Sequence, residues 1–167
     1  MSPRSLTKSV IRQVGLLRAG DEVGDAAAAL LDQGLPALPV VNDDGSLLGI
    51  FGEREFVAAL FPGYLGELRY AAFVSGSIED VIDKRLGCRL DPVSKYTNTE
   101  HVDAGLDHSD TQLAETFLHH HVLIVPIVDG GAVVGVVTRS DFFGGLVERF
   151  ASRFDNDADT GGKPRRE

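Results

Sequence analysis

Cysteine is almost missing from this chain of 167 residues: Cys88 stands alone, so no internal disulfide can form and no cysteine cluster offers a metal site. Basic residues are also short, 16 Lys and Arg against 25 Asp and Glu, for a formal net charge of -9. The resulting negative field repels phosphate backbones and anionic headgroups, which makes nucleic acid and membrane surfaces poor partners. Asp43, Asp44, Glu53 and Arg139 interrupt the richest apolar regions, so no stretch nears the roughly 18 uncharged residues that a bilayer-spanning helix needs. Met1 to Ile11 lacks the apolar core of a secretory signal. A soluble protein of the reducing cytoplasm is expected.

Catalytic and metal constellations are equally scarce. His119, His120 and His121 are consecutive, and neighbouring helical side chains point about 100° apart, so the three cannot converge on one ion. His108, Ser109 and Asp110 have the residue types of a hydrolytic triad, but adjacent residues in one turn cannot assemble that geometry. Arg85 and Arg89 flank Cys88 without a general base beside it, and a passive thiol is expected. No catalytic residue, no metal and no enzymatic activity are therefore expected.

What is present is a repeat. Gly34 to Val41 (GLPALPVV) aligns with His121 to Val128 (HVLIVPIV), an offset of 87 residues. A turn follows each copy, Asn42-Asp43-Asp44-Gly45 in the first and Asp129-Gly130-Gly131 in the second, and these residue types favour tight hairpins. The second turn is one residue shorter, and beyond it Leu47 to Phe51 matches Val133 to Val137 at an offset of 86. Upstream, Ala26, Ala27, Leu30 and Leu31 repeat as Leu113, Ala114, Phe117 and Leu118, each set forming one apolar face at a helical period. Asp25 and Asp110 or Thr111 suit the start of these helices, and Gly34 suits a helix end. Downstream, Phe56, Val57, Leu60 and Phe61 repeat as Phe142, Phe143, Leu146, Val147 and Phe150 at helical spacing.

Short strands are expected before each unit, over Gln13 to Leu17 and His101 to Leu106, so each copy reads as βαββα. A three-stranded sheet with two short helices leaves an apolar face uncovered, and the two copies should pack on one another. The fold class is thus α/β of the α+β kind, two pseudo-symmetric halves in one module. The expected divisions are 1–61 for the first repeat, 62–96 for a helical insert packed at one end of the pair, 97–150 for the second repeat, and 151–167 for a disordered tail rich in Asp, Gly, Lys and Arg. Within the insert, Tyr64, Leu65, Leu68 and Tyr70 suggest one helix and Ile78, Val81, Ile82 and Leu86 another.

The helix, the hydrophobic-Pro-Val-Val strand, the Asp/Gly turn and Gly135-Val136-Val137-Thr138-Arg139-Ser140-Asp141 resemble the CBS-domain (Bateman module) family. The likeness covers Val10 to Phe61 and Thr97 to Phe150. It implies two repeats facing each other across a cleft, a homodimer, and a non-catalytic regulatory role with an unidentified regulated protein. It also implies an adenosine-containing ligand (AMP, ADP, ATP or another adenosyl compound), with no cofactor required. By motif position, Asp141, Thr138 and Ser140 take ribose and phosphate, and Val136 touches the base, with Val10, Gly15, Leu35 and Pro36 contributing from the first copy. A carboxylate suits a vicinal diol, and helix N-terminal amides suit phosphate. Thr138 to Asp141 also reads as a capping box, with Asp141 folding back on the N-cap amide.

The first copy departs from the pattern, with Gly52-Glu53-Arg54-Glu55 in place of Thr-x-x-Asp, and its site is expected to be weak or empty. Cations for a polyphosphate are few, Arg139 and Arg54 being the sources considered, so an AMP-like ligand is favoured over ATP. A module of a different class, a ligand-free dimerisation or docking unit with vestigial clefts, is suggested by Leu123 and Ile124 where many nucleotide binders carry His or Arg.

Overall fold

The computed structural model describes residues 4–61 and 77–159. A five-residue helix, α1 (Leu6–Val10), leads into β1 (Leu17–Arg18), α2 (Val23–Gln33), β2 (Ala37–Val41), β3 (Leu47–Gly52) and α3 (Glu53–Leu60). After α4 (Ile78–Arg85) and two 3₁₀ turns (Leu86–Leu90, Val93–Lys95), the order repeats as β4 (Ala104–Gly105), α5 (Asp110–His119), β5 (Ile124–Asp129), β6 (Ala132–Thr138) and α6 (Arg139–Asp159). Each half has a three-stranded sheet in which the first strand lies parallel to the second and the second pairs antiparallel with the third. The βαββα expectation holds in both.

The register follows from the sequence pattern. Gly34 ends α2 in the left-handed region at φ 62°, where a residue without Cβ meets no steric penalty. Gly45, Gly130 and Gly131 carry the positive φ of the two hairpin turns. Leu38, Val40 and Phe51 of the first sheet join Leu17, Val23, Leu30 and Val93 in one buried cluster. Leu113, Val125, Ile127, Val137 and Phe142 form the other, together with Leu6. A third cluster joins the sheets: Ala37 and Ile50 from the first meet Ile124 and Val136 from the second. These are the same repeat positions, 87 and 86 residues apart, so a pseudo-twofold axis passes through this seam. Burying a side chain such as Phe51 or Ile127 removes apolar surface worth about 1.5–3 kcal/mol.

The halves exchange their leading segments. Arg12, upstream of the first sheet, bridges Val136 of the second, and Asn98, upstream of the second sheet, bridges Ile50 of the first. Both members of each pair stand 86 residues from their counterparts. This exchange shortens the expected leading strands: with the backbone at Arg12 committed to the opposite sheet, regular pairing begins only at Leu17, and likewise at Ala104 instead of His101.

Two further expectations are corrected. Residues 86–96, expected within an insert packed at one end of the pair, belong to the first half itself, because Val93 is fully buried in its core and the backbones of Val23 and Val93 bond to Asp91 and Asp21. The helix expected around Ile78 is α4, whose Arg85 bonds the Ala59 carbonyl at the end of α3; the helix expected around Tyr64 lies outside the described residues. The tail expected from residue 151 is helical to Asp159. Ala151 and Arg153 favour helix, extending an existing helix needs no new nucleus, and Phe150 and Phe154 pack edge to face at 5.1 Å.

Asp110 fastens α1 to the second half. Its carboxylate accepts the Leu6 amide at 2.7 Å, the Thr7 amide at 2.8 Å and the Ser5 hydroxyl at 2.8 Å, so it caps the N-terminus of a helix more than a hundred residues away. Burial opposes the charged form, but the hydrogen bonds from Thr7, Leu6 and Ser5 outweigh it and hold the carboxyl at about 2, below its usual 3.8. A carboxyl depressed on folding stabilises the fold above its unfolded value, and this contribution fades as pH falls from about 4 toward 2. Asp110→Ala is expected to lower stability by about 2 kcal/mol at pH 7, discounted for partial exposure. The difference from the unsubstituted protein should shrink in urea melts near pH 2.5; an unchanged difference there would exclude the charge as its source.

Candidate functional site

A cleft of about 960 Å³ opens between the halves. One wall is apolar and comes from the first half: Leu30 and Leu31 of α2, Leu35, Pro36, and Phe56 and Val57 of α3, with Leu123 facing them from the second. The other end is polar: Arg12, Thr138, Arg139, Ser140 and Asp141, with Glu53 opposite. The repeat explains this geometry. Strand β6 delivers Thr138 to the seam, and α6 starts there, so its first turn faces the helices of the other half.

Thr138 is buried, and its hydroxyl accepts the Asp141 amide at 2.9 Å, the N-cap half of the expected box. The other half is corrected. Instead of folding back, the Asp141 carboxylate turns outward to Arg12, taking its Nε at 3.1 Å and its Nη2 at 2.9 and 3.0 Å. The pseudo-equivalent Glu55 does fold back, accepting the Gly52 amide at 3.0 Å. Side-chain length is not the reason, because Asp80 folds back onto the Ser77 amide at 3.2 Å at the start of α4; what sets Asp141 apart is the Arg12 guanidinium beside it. The second copy thus presents a carboxylate to the cleft while the first spends its own on capping.

Leu35, Pro36, Thr138, Ser140 and Asp141 meet in this cleft as expected. Three residues do not. Val136 is fully buried in the seam between the sheets, in one cluster with Ala37, Ile50 and Ile124 and bridged by the Arg12 backbone, and it is not part of the cleft lining. Val10 sits in α1 and lines a shallower hollow beyond the Arg12–Asp141 pair, shared with Ser140 and Gly144. Gly15 is outside the cleft lining, its amide donating to the Gln33 side chain at 2.8 Å. Of the two cations considered, Arg139 lines the cleft and Arg54 does not. Two of the helix N-terminal amides are already engaged, Arg139 with the Leu123 carbonyl and Asp141 with Thr138.

Sequence reasoning missed Arg12. The signal was available: extending the 86-residue offset upstream pairs Arg12 with Asn98, and both positions bridge the opposite sheet. The candidate triad dissolves into structural roles. The Ser109 hydroxyl caps α5, Asp110 caps α1, and His108 Nδ1 accepts the Gly105 amide at 3.2 Å. Among the described residues, no group of three or more His, Cys, Asp or Glu side chains is arranged to hold a metal ion. No described helix is long and apolar enough to cross a membrane.

Comparison with known proteins agrees with this architecture. An uncharacterized protein of Methanocaldococcus jannaschii is 26% identical over 141 residues, 84% of this chain, and the chain spans 31% of that relative's length. Among solved structures, the CBS domain of a CBS-domain-containing membrane protein from Sphaerobacter thermophilus is 24% identical with a TM-score of 0.62, covering 84% of this chain and 86% of that one. The CBS-domain-containing protein ATU1752 from Agrobacterium tumefaciens is 21% identical at TM-score 0.63, with 84% and 90% covered. CBSX2, from Arabidopsis thaliana and solved in complex with AMP, is 16% identical at TM-score 0.64, with 87% and 98% covered. At these identities the structures speak for the fold alone. The CBS-domain family profile matches residues 8–62 and 106–148, one segment in each half, and the chain belongs to the CBS-domain family.

Proposed function

We propose that this chain is a non-catalytic regulatory module that binds an adenosine-containing small molecule, AMP-like in charge, in the cleft between its halves. One observation carries the reading: Asp141 is released from capping and stands at the polar end of a cleft whose opposite wall is apolar. A carboxylate accepts both hydroxyls of a ribose diol, and the Leu31, Leu35, Pro36 and Leu123 surfaces suit a purine ring. The AMP complex of CBSX2 supports the same ligand class in a related fold. Arg12 and Arg139 are offset by Glu53 and Asp141 in the lining, a balance that suits a monophosphate better than a triphosphate.

Thermal-shift titration tests the reading, because a ligand specific for the folded state must raise its melting temperature. AMP is expected to give the largest shift in a panel with ADP, ATP, adenosylmethionine and NADH. A melting temperature unmoved by all five at millimolar concentration would favour the alternative, a docking module in which Arg12 keeps Asp141 permanently occupied.

The module is further proposed to act as a homodimer that contacts a regulated protein. Leu31 of α2, Val57 of α3, Leu118 of α5 and Phe143 and Val147 of α6 are exposed, an apolar load that a lone soluble module seldom carries on its helices. Phe143, 65% exposed, contributes little to the core. Phe143→Asp is expected to halve the mass measured by light scattering and to lower the melting temperature only by the stabilisation that dimerisation supplies. A monomeric mass for the unsubstituted protein would overturn the dimer.

A further inference from the structure

Arg12 and Asp141 form the most extensive side-chain ion pair in the cleft, and the pair divides naturally between two ligand groups. The backbone of Arg12 is fixed, its amide donating to the Val136 carbonyl at 2.8 Å and its carbonyl accepting the Val136 amide at 2.9 Å. Its side chain is not: Arg12 is 46% and Asp141 29% exposed, a pair that water can open at small cost. The arginine is therefore anchored by its backbone at the cleft mouth with a solvent-accessible guanidinium, whose planar fork matches a phosphate as well as it matches a carboxylate.

We infer that Arg12 is a counter-ion switch that selects for a phosphorylated nucleoside. In the ligand-free protein it neutralises Asp141; when ligand enters, the ribose diol takes the carboxylate and Arg12 turns to the phosphate. A neutral nucleoside displaces Arg12 and gives it nothing in return, whereas a nucleoside monophosphate supplies the replacement anion. The pseudo-symmetric position carries Asn98, which has no charge and whose side chain accepts the Glu100 amide at 3.0 Å, while Glu55 caps Gly52. The switch is consequently built into one of the two related sites. This inference rests on the adenosine-ligand reading and adds to it the residue that reads the phosphate.

Calorimetric titration of AMP and adenosine into the full chain, its Arg12→Gln variant and its Arg12→Lys variant tests the inference. The unsubstituted protein is expected to bind AMP about tenfold more tightly than adenosine. Arg12→Gln should lose about tenfold in AMP affinity and hold or improve its adenosine affinity, bringing the two within about threefold. Arg12→Lys should fall between them, because the charge remains and the fork does not. If AMP binds the unsubstituted protein and Arg12→Gln leaves the AMP-to-adenosine ratio unchanged, or loses both ligands equally, the switch is overturned while the ligand reading stands. If the unsubstituted protein binds neither, both fall. Thermal melts of each variant confirm that folding is retained.

Discussion

Asp141→Ala is expected to weaken adenosine-ligand binding at least tenfold while leaving the fold intact, and Glu55→Ala is expected to leave that affinity unchanged. The asymmetry follows from where the two carboxylates go. Asp141 faces the cleft and Arg12, is partly exposed, and takes no part in the Thr138 cap through its carboxylate. Replacing it removes the charge-assisted acceptor proposed for the ribose, and a loss of this kind corresponds to about 1.5–3 kcal/mol, or at least one order of magnitude in affinity. Glu55 instead bonds the Gly52 amide, so its removal should lower stability by about 0.5–1 kcal/mol, as lost caps do, and spare ligand binding. Isothermal titration and urea melts on the two variants separate these effects. Equal loss of affinity from both would show that the first-copy site also binds.

Gly135→Val is expected to be strongly destabilising. Gly135 lies where the leading segment crosses β6, and a Cβ there would stand 2.7 Å from Ile11 Cγ2 and 2.8 Å from the Arg12 carbonyl oxygen. The nearer atom belongs to a side chain, but the second is backbone, and moving it breaks both bridge bonds between Arg12 and Val136. Overpacking of this kind costs about 1–3 kcal/mol, and the lost bridge takes the expected total to about 3 kcal/mol, a fall in Tm of roughly 6–12 °C for a chain of this size. Gly49 stands under the Asn98 crossing in the same way. Gly144, inside α6, has open space around it, and Gly144→Ala should stabilise by about 0.5–1 kcal/mol. Similar melting temperatures for the Gly135 and Gly144 variants would remove the crossing as a structural constraint. Because the crossing carries Arg12, Gly135→Val should also disturb the cleft.

The two sheets and the helices beside them were legible in the sequence because burial there is periodic and duplicated: Leu38, Val40 and Phe51 recur as Val125, Ile127 and Val137. The exchange of leading segments was not legible, since a single residue pair such as Arg12 and Val136 leaves no periodic trace. Val136, expected against the base by motif position, lies instead under that bridge in the seam. Arg12 is hard to see because its counterpart 86 residues on is Asn98, which shares neither its charge nor its length. The helical extension to Asp159 was hidden by the polar composition of the segment, which is indistinguishable from a solvated tail until a preceding helix supplies the nucleus.

The central claim is that Asp141 holds the sugar of a nucleotide whose base lies against the first half. A crystal structure of the protein soaked with AMP tests it most directly. The expected result places both ribose hydroxyls within hydrogen-bond distance of the Asp141 carboxylate, the purine on the Leu35 and Pro36 surface, and the Arg12 guanidinium turned away from Asp141. AMP bound elsewhere, or an Arg12–Asp141 pair still closed around an empty cleft at saturating ligand, would contradict it.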